Sequence, residues 1–345
     1  MTIKDIARES GYSVGTVSRT LNNAEGVSDR ARKRIMEVVE KYHFELNSNA
    51  KHLKKQSKDG IALIIKGTNN MLFASIVEHL QGMIRDRKYA CMVYYIGEND
   101  NEVEQAIRIC QDRNPYGILF LGSNTEHFKE KFSVIKLPCV MVTSSARMLD
   151  FENLSSVSTD DVEAARFAVN HLFALGHRQI GVLGGNMRLS QAVSARYRGT
   201  QLAFEDQGLT FEPDRQYESA LFSISEGYNA ARKLLRKMPD LTAIFAMSDV
   251  MAIGAIRALK DAGRRVPEDI SVIGFDGLEI GAYTVPKLTT IHQNVLGIAT
   301  RCVEILLDNL DHGISVVHEL EPFYLVPGES VRRRKEEKNN GRNNI

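Results

Sequence analysis

Five polar side chains near the N-terminus have the types and spacing to hydrogen-bond a nucleic acid: Ser13, Thr16, Ser18, Arg19 and Asn22, all in the run GYSVGTVSRTLN. Small hydroxyls and amides suit phosphate oxygens, which set register without reading sequence. A guanidinium can take a guanine edge through two hydrogen bonds, worth about 1–3 kcal/mol of discrimination. Val14 and Gly15 lie among them and carry no side-chain hydrogen-bonding group. They can act there only by touching a thymine methyl or by letting the backbone approach. Catalytic constellations are missing by contrast. The chain has no GxxxxGK[ST] or HExxH and no GxSxG elbow, since its GYSVG at 11–15 joins two helical stretches and follows no strand; the GVLGG at 181–185 fails the GxGxxG spacing, and its nine histidines make no metal-spaced cluster with cysteine. His177 in LGHRQI reads as a structural residue at a helix end rather than a general base. The expectation is a protein that is not an enzyme and holds no metal or cofactor.

Those polar residues need short helices to hold them. Thr2 can cap a helix with Ile3, Ile6 and Ala7 on one face, Gly11 breaks it, and Ser13 caps a second helix with Val17 and Leu21 inward. Two helices joined by a glycine turn make a helix-turn-helix, whose second helix enters the major groove by its N-terminal turn. Ser28 then caps a third helix, with Ala31, Ile35, Val38, Val39 and Tyr42 as its apolar lid. Residues 1–58 carry twelve Lys/Arg against seven Asp/Glu, whereas 59–330 carry twenty-six against thirty-four. The basic excess thus sits beside the candidate DNA-reading residues.

Residues 43–60, HFELNSNAKHLKKQSKDG, are too polar for a core element and read as a basic linker. From Ile61 onward short apolar runs alternate with amphipathic stretches. Strands are expected at 61–65, 91–96, 117–122, 138–142, 179–185, 243–246 and 270–275. Helices are expected at 75–87, 103–112, 163–175, 192–207 and 251–262. That order implies two parallel sheets covered on both faces, with the second set beginning near Val157. Cys91, Cys110, Cys139 and Cys302 sit apart in apolar runs and read as free buried thiols. With no signal peptide and no apolar run near 20 residues, a soluble cytoplasmic protein is expected. The last fifteen residues, VRRRKEEKNNGRNNI, read as a disordered basic tail.

The GYSVGTVSRTLN run resembles the LacI/GalR transcription-factor family, whose pattern here is Gly, an apolar residue, Ser, two variable residues, Thr-Val-Ser-Arg, then Asn. The likeness continues through LGHRQIGVLGG, DLTAIFAMSDVMAIGAIRALKDAGRRVPEDISVIGFDG and PKLTTIHQN, covering residues 1 to 330. It implies an α/β chain with an all-α helix-turn-helix head (1–46), a hinge (47–60) and a periplasmic-binding-protein-like core of two Rossmann-like subdomains (61–330). The first subdomain would be about 61–158 plus 290–320, the second 159–289 plus 321–330. It further implies a homodimeric repressor on near-palindromic operator DNA, off the membrane. In the hinge, Ala50, Lys51, Leu53 and Lys54 match DNA contacts, Leu53 being the minor-groove wedge. Effector contacts fall on Phe73, Arg196, Phe222, Ser248, Asp276 and Gln293, with a sugar the expected ligand. A purine, a phosphosugar or a protein corepressor are the alternatives, and a sugar-binding protein or enzyme with the same core is the more distant one. Departures from the family pattern are Leu46 for its proline, Lys66 to Leu72 in the first core loop, Ser248 for Asn, and Gly277 for a second Asp.

Overall fold

The computed structural model describes residues 3–21, 26–42, 60–67 and 70–334. The chain divides into two compact units, 1–57 and 58–345. The first contains helices α1 (Ile3–Ser10), α2 (Val14–Leu21) and α3 (Asp29–Lys41). Gly11 takes φ +78°, a conformation in which a side chain is strained, and its N–H closes α1 on Ala7 O at 3.0 Å. Ser13 starts α2 by accepting the Thr16 N–H, and Ser28 starts α3 by accepting that of Ala31. Ile6, Ala7, Val17, Ile35 and Val38 close the small core these helices share. Tyr42, expected in the apolar lid, is 39% exposed instead, its hydroxyl reaching Glu9 Oε2 at 3.4 Å.

Strands are numbered along the chain. One sheet contains β1 (Ile61–Lys66), β2 (Cys91–Ile96), β3 (Gly117–Leu121), β4 (Cys139–Val142), β5 (Leu154–Thr159) and β11 (His318–Glu321), in the order β11-β5-β4-β3-β1-β2, all parallel. The other contains β6 (Ile180–Gly184), β7 (Tyr217–Ser219), β8 (Ala243–Ala246), β9 (Ser271–Asp276), β10 (Thr289–Gln293) and β12 (Phe323–Val326). Its order is β12-β10-β9-β8-β6-β7, with β12 antiparallel to β10. Helices α4 (Met71–Asp86), α5 (Glu102–Arg113), α6 (Thr125–Lys131) and α12 (Val295–His312) go with the first sheet. Helices α7 (Asp161–Ala174), α8 (Gln191–Asp206), α9 (Pro213–Gln216), α10 (Ile224–Lys237) and α11 (Asp249–Asp261) go with the second. Alternate residues explain the continuous apolar strands. Leu63, Ile65 and Leu119 face α4 and α12, while Ala62, Ile64 and Phe120 face Val103, Phe128 and Phe132 on the opposite side.

Three boundaries differ from expectation. Residues 154–159 form β5 of the first sheet, so the second set starts at α7 rather than near Val157. The return crossing expected at about 290 falls at Asn294, because β10 pairs with β9 in the second sheet. The tail does not begin at 331: Val331 packs on the second core, Arg332 donates its N–H to Ser271 Oγ, and Arg334 N–H bonds Leu175 O at 2.9 Å. Residues 331–334 thereby answer carbonyls at the C-terminal end of α7 that the helix itself leaves open. His177, buried as expected of a structural residue, holds the Arg332 carbonyl through Nε2 at 3.0 Å. No helix among the described residues is long and apolar enough to cross a membrane.

Helices α10 and α11 meet backbone to backbone. A Cβ on Gly254 would lie 2.1 Å from Ile224 O, and one on Gly227 would lie 2.5 Å from Met251 Cα. Gly254→Ala is expected to push the pair apart and cost about 1–3 kcal/mol, read as a lower urea midpoint. Gly82→Ala on α4, where a Cβ meets nothing within 4 Å, should hold or raise that midpoint.

Candidate ligand cleft and nucleic-acid interface

Both sheets run 2-1-3-4-5 in their own strand numbering, and in such sheets ligands settle beyond the carboxyl ends of the strands, where the order reverses. A cavity of about 470 Å³ lies there, between the two subdomains. Lys66 and Gly67 reach it from β1, Gly122 from β3, Thr143 and Ser144 from β4, Gly185 from β6, Ser219 from β7, Ser248 from β8 and Asp276 from β9. The volume suits a small molecule. Phe73, Arg196, Phe222, Ser248 and Asp276 all line it, although they come from five separate segments of the chain.

Arg196 projects from α8 into a nearly dry setting. Its Nε donates to Asp161 Oδ1 at 2.7 Å, its Nη1 to the Met247 carbonyl at 2.6 Å, and Nη1 lies 3.7 Å from Asp276 Oδ1. The guanidinium carbon stands 3.8 Å from the centroid of the Phe275 ring. Burial pushes the Asp161 carboxyl up, against the opposing pull of Arg196. Burial likewise pushes Asp276 up to about 6, while Arg196 and hydrogen bonds from Ser248 and Gln293 pull the other way. Asp276 also holds φ +117°, a backbone conformation side chains rarely adopt, and such strain concentrates at functional sites. Gly277 follows at φ +74°, where a Cβ would come 2.4 Å from His292 Nδ1. A second Asp cannot stand there without displacing that ring.

Gln293 departs from expectation: it does not line the cavity. It is buried behind Asp276, donating to Oδ1 at 2.8 Å through Nε2 and accepting the Thr159 hydroxyl at 3.0 Å through Oε1. Its carboxamide is spent on fixing Asp276 and on joining two of the chain crossings. Asp249 opens α11, takes the Leu278 N–H at 2.6 Å and the Thr290 hydroxyl at 2.5 Å, and supports the cavity wall from behind. Burial drives its carboxyl well above the ordinary range, and the Asp276 charge adds to this.

The first subdomain supplies residues the motifs did not single out. Lys66 lines the cavity, and its Nζ donates to Glu102 Oε2 at 3.0 Å; the two side chains are 4% and 2% exposed. His127 Nδ1 meets the same oxygen at 2.7 Å, and the Asn124 N–H donates to Glu102 Oε1 at 2.6 Å. The available signal was a lysine closing an otherwise wholly apolar strand, IALIIK. Glu98, Asn99 and Glu226 add polar groups at the edge of the cavity.

In the N-terminal unit, Val14 is 42% exposed, and Gly15 and Arg19 are exposed beside it on α2. Arg19 Nε lies 3.4 Å from Gly15 O, along its own helix. Ser13 and Thr16 share a hydroxyl hydrogen bond of 2.9 Å, and Thr20 is turned inward onto Thr16 O. Ser18 is half-buried. Asn22 and the hinge positions Ala50, Lys51, Leu53 and Lys54 lie outside the described residues.

Comparison with known proteins adds independent findings. Residues 2–47 match the bacterial regulatory proteins of the lacI family, and residues 169–331 match the periplasmic binding protein-like domain. The chain is 32% identical over 312 residues to the HTH-type transcriptional regulator MalR of Clostridium butyricum, covering 89% of this chain and 92% of that one. It is 27% identical over 336 residues to the HTH-type transcriptional repressor PurR of Haemophilus influenzae (strain PittEE), covering 96% and 98%. Among solved structures, the transcriptional regulator CelR in complex with cellobiose aligns with a TM-score of 0.69 at 25% identity, over 96% of this chain and 99% of that one.

Removing Arg196 strands two buried carboxylates. Arg196→Ala is expected to cost about 3–5 kcal/mol in equilibrium unfolding. Adding Asp161→Asn should recover part of that loss, since an amide needs no counter-charge; an additive double variant would show that the two residues do not interact.

Proposed function

The chain belongs to the lacI family of bacterial regulatory proteins, and from that premise we propose that it represses transcription as a dimer whose hold on operator DNA is set by a neutral sugar in the inter-subdomain cavity. The observation that carries the sugar reading is the charge balance of that cavity. Among the described residues its two cations are already answered, Lys66 by Glu102 and Arg196 by Asp161 and Asp276, while Glu98 and Glu226 add further negative groups. A phosphate would meet no unpaired cation among the described lining residues. Hydroxyls find directional partners in Asp276, Ser248 and Arg196, and Phe73 and Phe222 offer apolar faces to a sugar ring. One similar solved protein, CelR, is in complex with cellobiose, which supports a sugar.

On the DNA side, Arg19 is assigned to a base edge, with Val14 and Gly15 approaching through a methyl contact and bare backbone. Thr16, Ser18 and Asn22 are assigned to register on phosphates, and Ser13 faces the major groove at the start of α2. The matching hinge sequence supports Leu53 as a wedge into the minor groove, flanked by Ala50, Lys51 and Lys54. Ligand binding can alter DNA affinity only through its different affinity for the two core conformations, typically 1–3 kcal/mol.

Two outcomes test this reading. In a thermal-shift panel of maltose, cellobiose, ribose, hypoxanthine and glucose 6-phosphate, a neutral sugar is expected to stabilise the protein, by about 2.7 kcal/mol at 100 times its dissociation constant. Stabilisation by the phosphate ester or the purine alone would reject the sugar. With Asp276 at about 6, its proton-accepting form is lost as pH falls. Sugar affinity should therefore weaken from pH 8 to pH 5, and Asp276→Asn should flatten the profile. The same raised value makes this group's contribution to stability greatest at low pH and lost as pH rises through 6. For DNA, Arg19→Ala should relax base preference at one operator position by about 1–3 kcal/mol, measured across operator variants at fixed salt.

A further inference from the structure

Segment 186–191, which leads from β6 into the first residue of α8, does two things at once. It lines the cavity through Asn186, Leu189 and Ser190, and it spans the cleft to the opposite subdomain. The Gln191 carboxamide pairs with the backbone of Ser145 in both directions, Ser145 N–H donating to Oε1 at 2.8 Å and Nε2 donating to Ser145 O at 3.0 Å. Nearby, Asn124 Nδ2 donates to the Arg188 carbonyl at 3.2 Å.

Asn124 is not held alone. Its carboxamide oxygen accepts the Glu126 N–H at the start of α6, and its own N–H is gripped by Glu102, whose second oxygen is taken by Lys66. An unbroken chain of hydrogen bonds therefore runs from a cavity-lining ammonium through a buried carboxylate to the segment that bridges the cleft. Because Lys66 and Glu102 are almost completely buried, shifting one obliges the other to follow, since a separated charge in that setting is costly.

We propose that Lys66 is a further effector contact, and that Glu102, Asn124 and Gln191 are positioning residues that turn occupancy of the cavity into closure of the cleft. This rests on the reading of the cavity as a ligand site. A ligand hydroxyl accepting from Lys66 fixes the ammonium, the ammonium fixes Glu102, and Glu102 sets the Asn124 backbone against segment 186–191. The Gln191–Ser145 pair then latches the two subdomains together. Two discrete arrangements, latched and unlatched, supply the bistable element that coupling between separated sites requires.

Hydrogen–deuterium exchange on the full-length protein, first with no sugar added, tests it. Gln191→Ala should speed exchange across 143–147 about tenfold or more, with β8 (243–246) unchanged as the reference for global unfolding. The paired variant Lys66→Met/Glu102→Gln removes the buried charges together and leaves an oxygen for the Asn124 N–H. It should also speed exchange across 143–147, a segment whose bond is to Gln191 and not to Lys66. Wild-type exchange there in the paired variant overturns the relay; wild-type exchange in Gln191→Ala overturns the latch. With maltose as probe, protection of 143–147 in the wild type and its loss in the paired variant support the proposal, and equal protection in both overturns it. If no sugar of the panel slows exchange anywhere in 185–196, the sugar reading fails while the sugar-free arms still decide the latch.

Discussion

The ion pair between Arg196 and the carboxylates of Asp161 and Asp276 organises the core, because it lets charge survive in a place the fold makes dry. Two sheets, parallel except for β12, bring the carboxyl ends of their parallel strands to one cleft, and the apolar packing that covers both sheet faces excludes water from the residues just beneath. A carboxylate there is tolerated only when paired and fully hydrogen-bonded. Asp276 meets that condition through Arg196, Ser248 and Gln293 together, and remains raised toward 6 even so. Its strained backbone is held because each of these partners is itself anchored: Arg196 on Asp161 and Met247 O, Gln293 on Thr159. The cavity wall is thus rigid on the side of the second subdomain.

The first subdomain repeats the solution with different chemistry. Its buried pair is a lysine and a glutamate, with His127 and a backbone N–H filling the remaining acceptor sites of Glu102. An arginine presents a planar fork locked in one orientation, whereas an ammonium is a compact charge whose three protons can be redistributed. The arginine side suits fixed orientation of a ligand, and the lysine side suits responding to one. Neither cation has charge to spare for an anion, so both pairs argue for the same uncharged class of ligand.

Strongly patterned elements were legible from sequence alone. Strands 91–96 and 243–246 fall where their apolar runs predict, and the caps at Ser13 and Ser28 start α2 and α3. Elements whose buried face is made of small or polar residues were not. Helix α10 buries Gly227, Ala230, Ala231 and Leu234, a helical period that is present in ISEGYNAARKLLRK although only Leu234 among the four is large. Strand β11, HELE, is an edge strand of polar and charged residues that no apolar run announces. The order at 331–334 depends on open carbonyls at the end of α7, over 150 positions away in sequence. Lys66 and Gln293 show both limits of transferring site residues by resemblance. Lys66 appeared only as a departure from the pattern yet lines the cavity, and Gln293 matched the pattern yet stands one layer behind.

The energies involved match the task of a switch. Three hydrogen bonds bridge the cleft through Asn124 and Gln191, and each such bond contributes about 0.5–1.5 kcal/mol net. Their sum is therefore of the order of a few kcal/mol, comparable with the 1–3 kcal/mol typical of allosteric coupling. A much stronger bridge would hold the cleft shut whatever the cavity contained, and a much weaker one would leave occupancy without consequence. A carboxamide on a backbone unit gives the intermediate strength because both partners are neutral and exchange readily with water when parted. The fold spends its strong, buried charge pairs on shaping the two walls of the cavity, and leaves to weak neutral bonds the contact that has to open.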